Sequence, residues 1–71
     1  MTNKEFREGF SKNLRAKFQE KDITQKRLSD LSGVPVSCIY RYLHGITMPQ
    51  GDAIERMAEV LDTTFDELMD F

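Results

Sequence analysis

Apolar residues recur along this chain at helical intervals, and no stretch alternates convincingly as a half-buried strand would. Phe6, Phe10, Leu14 and Phe18 stand at i, i+4, i+8 and i+12, which predicts an amphipathic helix over about Lys4 to Glu20 with that stripe on a core. Gly9 is a soft spot in it, costing ~1 kcal/mol against alanine. Ile54, Met57, Ala58 and Leu61 follow a 3-4-3 spacing and predict another helix starting near Gly51 or Asp52. Between them lie two shorter segments, Gln25 to about Leu31 and about Val36 to Leu43. Leu28 and Leu31 are expected to point inward from one, and Ile39 and Tyr42 from the other. A last short helix, about Thr64 to Met69, offers Phe65, Leu68 and Met69 to the core. The pattern predicts an all-α fold: one compact domain of four to five helices spanning residues 1–71.

The punctuation between these segments sharpens the picture. Thr24 is a natural N-cap, its hydroxyl able to accept from the backbone N–H of Lys26 or Arg27. Thr64 and Glu67 read as a capping box, T-x-x-E. Gly33 supplies the left-handed backbone that ends a helix, Val34 is an apolar plug under the turn, and Pro35 sits at the next helix start, where its missing N–H costs nothing. Ser29 is small enough for two helices to approach closely there. Gly45 stops the third helix, and Pro49 lies in the loop that follows. Thr24 to Gly45 thus reads as two short helices joined by a tight turn, with polar side chains on the outer face of the second. That is the layout of a helix-turn-helix, whose second helix is shaped to enter the major groove of DNA.

Charge first argues against such a partner, then for it. The formal net charge is −2. Residues 1–51, however, carry nine Lys/Arg against five acids, whereas residues 52–71 carry Arg56 against seven acids. A polyanion would meet the first part, with the acidic end facing away; ordinary solvated faces are the bland alternative. A single cysteine, Cys38, closes no intramolecular disulfide, and with one histidine it makes no metal-ligand constellation. Cys38 is expected to be a small packing residue. No apolar run approaches the ~20 residues of a membrane span, and the charged start is not a signal peptide, so a cytoplasmic protein without membrane contact is expected. An enzyme is disfavoured: no paired carboxylates sit beside a histidine, no Ser-His-Asp set is available, and no Gly-rich loop could cradle a phosphate. No cofactor is expected.

From about Phe10 to Leu68 the chain resembles the Cro/CI-type phage repressor family, with its five-helix, lambda-repressor-like DNA-binding domain. The residues that carry the resemblance are Leu14-Arg15, then I-T-Q at 23–25 followed by Leu28 and Ser29, then Ser32-Gly33-Val34, Ile39, Gly45 and Pro49. Ile54, Met57-Ala58, Leu61 and Phe65-Asp66-Glu67-Leu68 complete the set. The resemblance implies roles. Gln25 matches a glutamine that contacts a phosphate and braces a base-reading partner. Val36, Ser37, Tyr40 and Arg41 fall on the outward face of the recognition helix. Their chemistry suits base contact: Arg41 can pair bidentately with guanine, Ser37 can bond several base edges, Val36 can pack on a thymine methyl, and Tyr40 can reach a phosphate or base edge. Expected phosphate contacts are Arg15, Lys26, Arg27, His44 and the backbone around Thr47. For Lys26 and Arg27 a solvated helix face is an equal alternative, and His44 could instead cap the carbonyls at the end of its helix.

The family pattern is not followed everywhere. Leu43-His44 occupy a stretch where many relatives have a glutamate, the loop after Gly45 lacks Lys or Arg, and the final third is strongly acidic. Modest intrinsic affinity is therefore expected, made up by dimerisation or a cooperative partner. The implied function is a sequence-specific regulator of transcription, a repressor that binds a near-palindromic operator in double-stranded DNA as a homodimer. Its third helices would enter successive major grooves about 34 Å apart. Dimerisation would use exposed apolar residues near the end, such as Met69 and Phe71, or occur only on DNA. The alternative is a protein-interaction module of the same fold, an antitoxin or adaptor, docking a protein partner through the acidic C-terminal third.

Overall fold

The computed structural model describes residues 2–71 and contains, among them, five helices and no strand. They are α1 (Asn3–Lys21), α2 (Gln25–Ser32), α3 (Val36–Leu43), α4 (Gly51–Val60) and α5 (Phe65–Leu68). Thr2 starts α1 through a complete capping box: its hydroxyl accepts from the Glu5 N–H at 3.1 Å, and the Glu5 carboxylate accepts from the Thr2 N–H at 3.4 Å. Thr24 caps α2 by accepting from the Arg27 N–H at 3.1 Å. At α5 only half of the expected box forms. Thr64 accepts from the Glu67 N–H, but the Glu67 carboxylate accepts instead from the Thr63 hydroxyl at 3.0 Å and lies 3.6 Å from the Lys17 ammonium.

One core binds the helices together. Phe10 and Leu14 enter it from α1, Leu28 from α2, Ile39, Tyr42 and Leu43 from α3, Ala53, Ile54, Met57 and Ala58 from α4, and Leu68 from α5. Val34 plugs the turn between α2 and α3, and Leu61 closes the end of α4. Phe6 and Phe18, at the two ends of the α1 stripe, pack on the core partly exposed. Phe10 and Tyr42 meet edge to face, ring centroids 6.1 Å apart.

Two expected core residues lie elsewhere. Leu31 is 51% exposed, because Ser32, one turn beyond Leu28, takes the inward position instead. The Ser32 hydroxyl is satisfied there, donating to the Leu28 carbonyl at 2.6 Å and accepting from the Val34 N–H at 3.2 Å. Phe65 is 37% exposed, since a single-turn helix can aim only one face inward and Leu68 fills it.

The C-terminal turn is fastened to α1. Asn13 donates through its amide nitrogen to the carbonyls of Leu68 (2.9 Å) and Asp70 (3.0 Å). Phe71 lies edge-on to Phe6, centroids 5.4 Å apart, and its ring occupies the space that a side chain at Gly9 would fill. The soft spot in α1 is therefore a seat for an aromatic ring.

Candidate nucleic-acid interface

Helix α3 is placed by its two ends. At the first, Gly33 adopts φ +78° and donates its N–H to the Ser29 carbonyl at 2.9 Å, a conformation that favours glycine. Pro35 then stands at the N-cap, its carbonyl accepting from the Ile39 N–H at 3.1 Å. With Ile39, Tyr42 and Leu43 buried, helical geometry leaves Val36, Ser37, Tyr40 and Arg41 on the opposite face, all exposed to solvent. Cys38, at the margin, is half-buried against the core with a free thiol.

At the other end α1 takes up the carbonyl of the last helical residue, left without an intrahelical partner, and one from the turn that follows. The buried Ser11 hydroxyl donates to the Leu43 carbonyl at 2.6 Å, and Arg7 Nε donates to the Gly45 carbonyl at 3.1 Å. Gly45 has φ +66°, and the Ile46 N–H returns to the Arg41 carbonyl at 2.9 Å. His44 closes α3 with its backbone N–H, bonded to the Tyr40 carbonyl, while its ring leans on the Tyr40 ring at a centroid distance of 4.2 Å. Of its two expected placements, helix closure is thus made by its backbone and not by its side chain. Tyr42, beneath this face, has its phenol pushed above the ordinary value by burial first, then by Cys38 and Asp52, with Arg56 and Arg41 opposing.

A helix-turn-helix family model of the Cro/CI-like type matches residues 14–68, which takes in α2, the Gly33 turn, α3 and everything through Leu68. The chain belongs to the Cro/CI-like helix-turn-helix family. Its members are DNA-binding regulators of transcription, and that is the coarse function of this one. Neither a curated protein nor a solved structure shows a significant match.

In this Cro/CI-like chain the sequence-predicted site residues fall into three groups. Val36, Ser37, Tyr40 and Arg41 share one open helix face, and His44 extends it by one further turn. Gln25, half-buried, and the exposed Lys26 and Arg27 form the first turn of α2; Lys26 is engaged with Asp30 at 3.0 Å. Arg15 is exposed on α1, in a groove that also contains His44 and Gly45, and Thr47 is half-buried in the loop before α4. Sequence reasoning missed Arg7 and Ser11. Ser11 stood next to Phe10 and three residues before Leu14, at the edge of the apolar stripe, and a small hydroxyl there is a signal for a buried bond to another element's backbone. Among the described residues no group of three or more His, Cys, Asp or Glu side chains could hold a metal ion, and no helix is long and apolar enough to cross a membrane.

Proposed function

We propose that the chain represses transcription by binding, as a homodimer, a near-palindromic operator, with α3 of each copy in the major groove. The observation that carries this reading is the division of α3: three buried residues fix its rotation, and the four outward ones, Val36, Ser37, Tyr40 and Arg41, bear groups able to read base edges. Arg41 reads a guanine through its paired donors, Ser37 a neighbouring base edge, and Val36 a thymine methyl. Tyr40 reaches a base edge or phosphate. Gln25 stands by this set from α2, and Arg15, Lys26, Arg27, His44 and the backbone at Thr47 take phosphates, which set register and supply the salt-dependent part of the affinity. Lys26 exchanges its Asp30 partner for phosphate on binding.

Selection from random duplex DNA tests this directly. The expected result is a consensus of two half-sites in inverted orientation, bound well above random duplex. Arg41→Ala should then lose about 1–3 kcal/mol on the selected site and relax the preference at one base pair per half-site. Equal binding of variant and parent to that site would remove Arg41 from the readout. A failure to enrich any sequence would overturn the proposal as a whole.

A further inference from the structure

The cations of this chain are engaged unevenly. Lys17 and Lys21 lie within 4 Å of Glu67 and Asp62 from the acidic C-terminal third, Lys26 pairs with Asp30, and Arg56 with Asp52. Among the described residues, Lys4, Arg7, Lys12, Arg15, Arg27 and Arg41 have no carboxylate within that distance. Four of these six, Lys4, Arg7, Lys12 and Arg15, line a single open groove between α1 and the end of α3, where Glu8 is the one acid. Lys4 and Arg15 are separated by about 16 Å along the helix axis. Like charges in such a row repel one another, and an anion lying along it relieves that cost. The groove is a trough and not an enclosed cavity, so it fits a linear polyanion better than a small buried ligand. It is also continuous with the outward face of α3, because His44 both lines it and rests on Tyr40.

We infer that this groove is a second DNA-contacting surface, taking the phosphodiester backbone that flanks the base pairs beneath α3. Lys4 and Lys12 make phosphate contacts beside Arg15. Arg7, tied to the Gly45 carbonyl, is a positioning residue that holds the groove against the end of α3. This rests on the proposed DNA-binding function and extends its footprint beyond the helix-turn-helix. The contacts carry no base information, so they add affinity and salt dependence without changing sequence preference.

The test is a titration of the full chain and of Lys4→Gln/Lys12→Gln on the selected duplex, at salt concentrations from 50 to 200 mM. Both lysines are exposed, and thermal melting checks that the variant folds as the parent does. Each lost phosphate contact lowers the slope of log affinity against log salt by about 0.9, so the double variant should lose about 1.8 per bound copy. Over that fourfold salt range the parent should then weaken about twelvefold more than the variant per bound copy, about 150-fold on the site of a dimer. The ratio of selected to scrambled duplex should be unchanged. Trimming the duplex to the read base pairs should bring the parent down to the variant's affinity. Arg56→Gln, on α4 and outside the groove, should leave the slope as it is. A double variant with the parent's slope, while Arg41→Ala still erodes the preference, overturns this inference and leaves the proposed function standing. A parent with no duplex preference overturns both.

Discussion

Replacing Gly9 by alanine sets two calculable effects against each other. In the middle of α1, alanine is favoured over glycine by about 0.8–1 kcal/mol. The new methyl group, however, would overlap the Phe71 ring seated against Gly9 and Phe6. Phe71 is 42% exposed, so it buries somewhat more than half of its surface. At ~25 cal/mol per Å², a burial of roughly 100 Å² is worth up to ~2.5 kcal/mol, and the edge-to-face pair with Phe6 adds roughly 0.5–1.5 kcal/mol. The ring is part-exposed and can swing aside, so part of that contact survives. Gly9→Ala should therefore be close to neutral or destabilising by about 1–2 kcal/mol. In a Phe71→Ala background the clash is gone, and the same substitution should stabilise by about 1 kcal/mol. Urea unfolding of the four proteins closes the cycle, with an expected coupling of about 1–3 kcal/mol. For a domain of this size 1 kcal/mol is about 4–8 °C in Tm, well resolved by calorimetry. If Gly9→Ala stabilised both backgrounds equally, Phe71 would not be seated on α1 in solution, and the account of Gly9 would be wrong.

Other perturbations probe the supports of α3 and the core. Ser11→Ala removes a buried hydroxyl that donates to the Leu43 carbonyl, and should cost about 1–2 kcal/mol in chemical unfolding. It should also weaken duplex binding, with no loss of direct contact, because the end of α3 is released. Leu28→Ala should cost about 2–5 kcal/mol, as expected for a side chain with no exposure, whereas Leu31→Ala should cost less than about 1 kcal/mol despite the identical chemistry. Parallel thermal melts separate the two. The Tyr42 phenol is raised in the folded state, so below its ordinary value near 10 it is neutral both folded and unfolded. As pH rises through that value the unfolded chain releases the proton first, so the folded state loses stability relative to it until the raised value is passed. Tyr42→Phe should flatten this alkaline loss in unfolding measured between pH 9 and 11.

What could be read from residues alone was the part governed by local rules. Ile39 and Tyr42 are the residues read as inward on α3, the family resemblance supplies the outward quartet, and the structure adds Leu43 to the buried side. Gly33, Val34 and Pro35 carry their turn in their own backbone preferences. The errors arise where a local rule has two solutions and tertiary contact chooses. Leu31 and Ser32 compete for one inward position, and the polar residue takes it because its hydroxyl finds two backbone partners. The same T-x-x-E pattern occurs at Thr2 and Thr64, but only the first closes reciprocally, since Glu67 is drawn to Thr63 and Lys17. Arg7 and Ser11 could not be paired with Gly45 and Leu43 from spacing, because those bonds join residues 38 and 32 positions apart. Each depends on how α1 lies across α3, which no short window of sequence contains.

The pairing of the C-terminal acids with Lys17 and Lys21 has a consequence for motion before contact. It engages Lys17 and Lys21 with acids of the C-terminal third and leaves Lys4, Arg7, Lys12 and Arg15 on α1 without a carboxylate partner among the described residues, in the groove that reaches the end of α3. The net charge of −2 is thus a poor guide to behaviour near a polyanion. Under the proposed function, cations left free on one face feel a torque in the field of DNA, which turns that face inward while the two are still apart. Orientation of this kind raises the fraction of encounters that are productive, and it fades as added salt shortens the range of the field. Under the proposed function the acidic third, by engaging Lys17 and Lys21, thereby helps to decide how quickly α3 arrives.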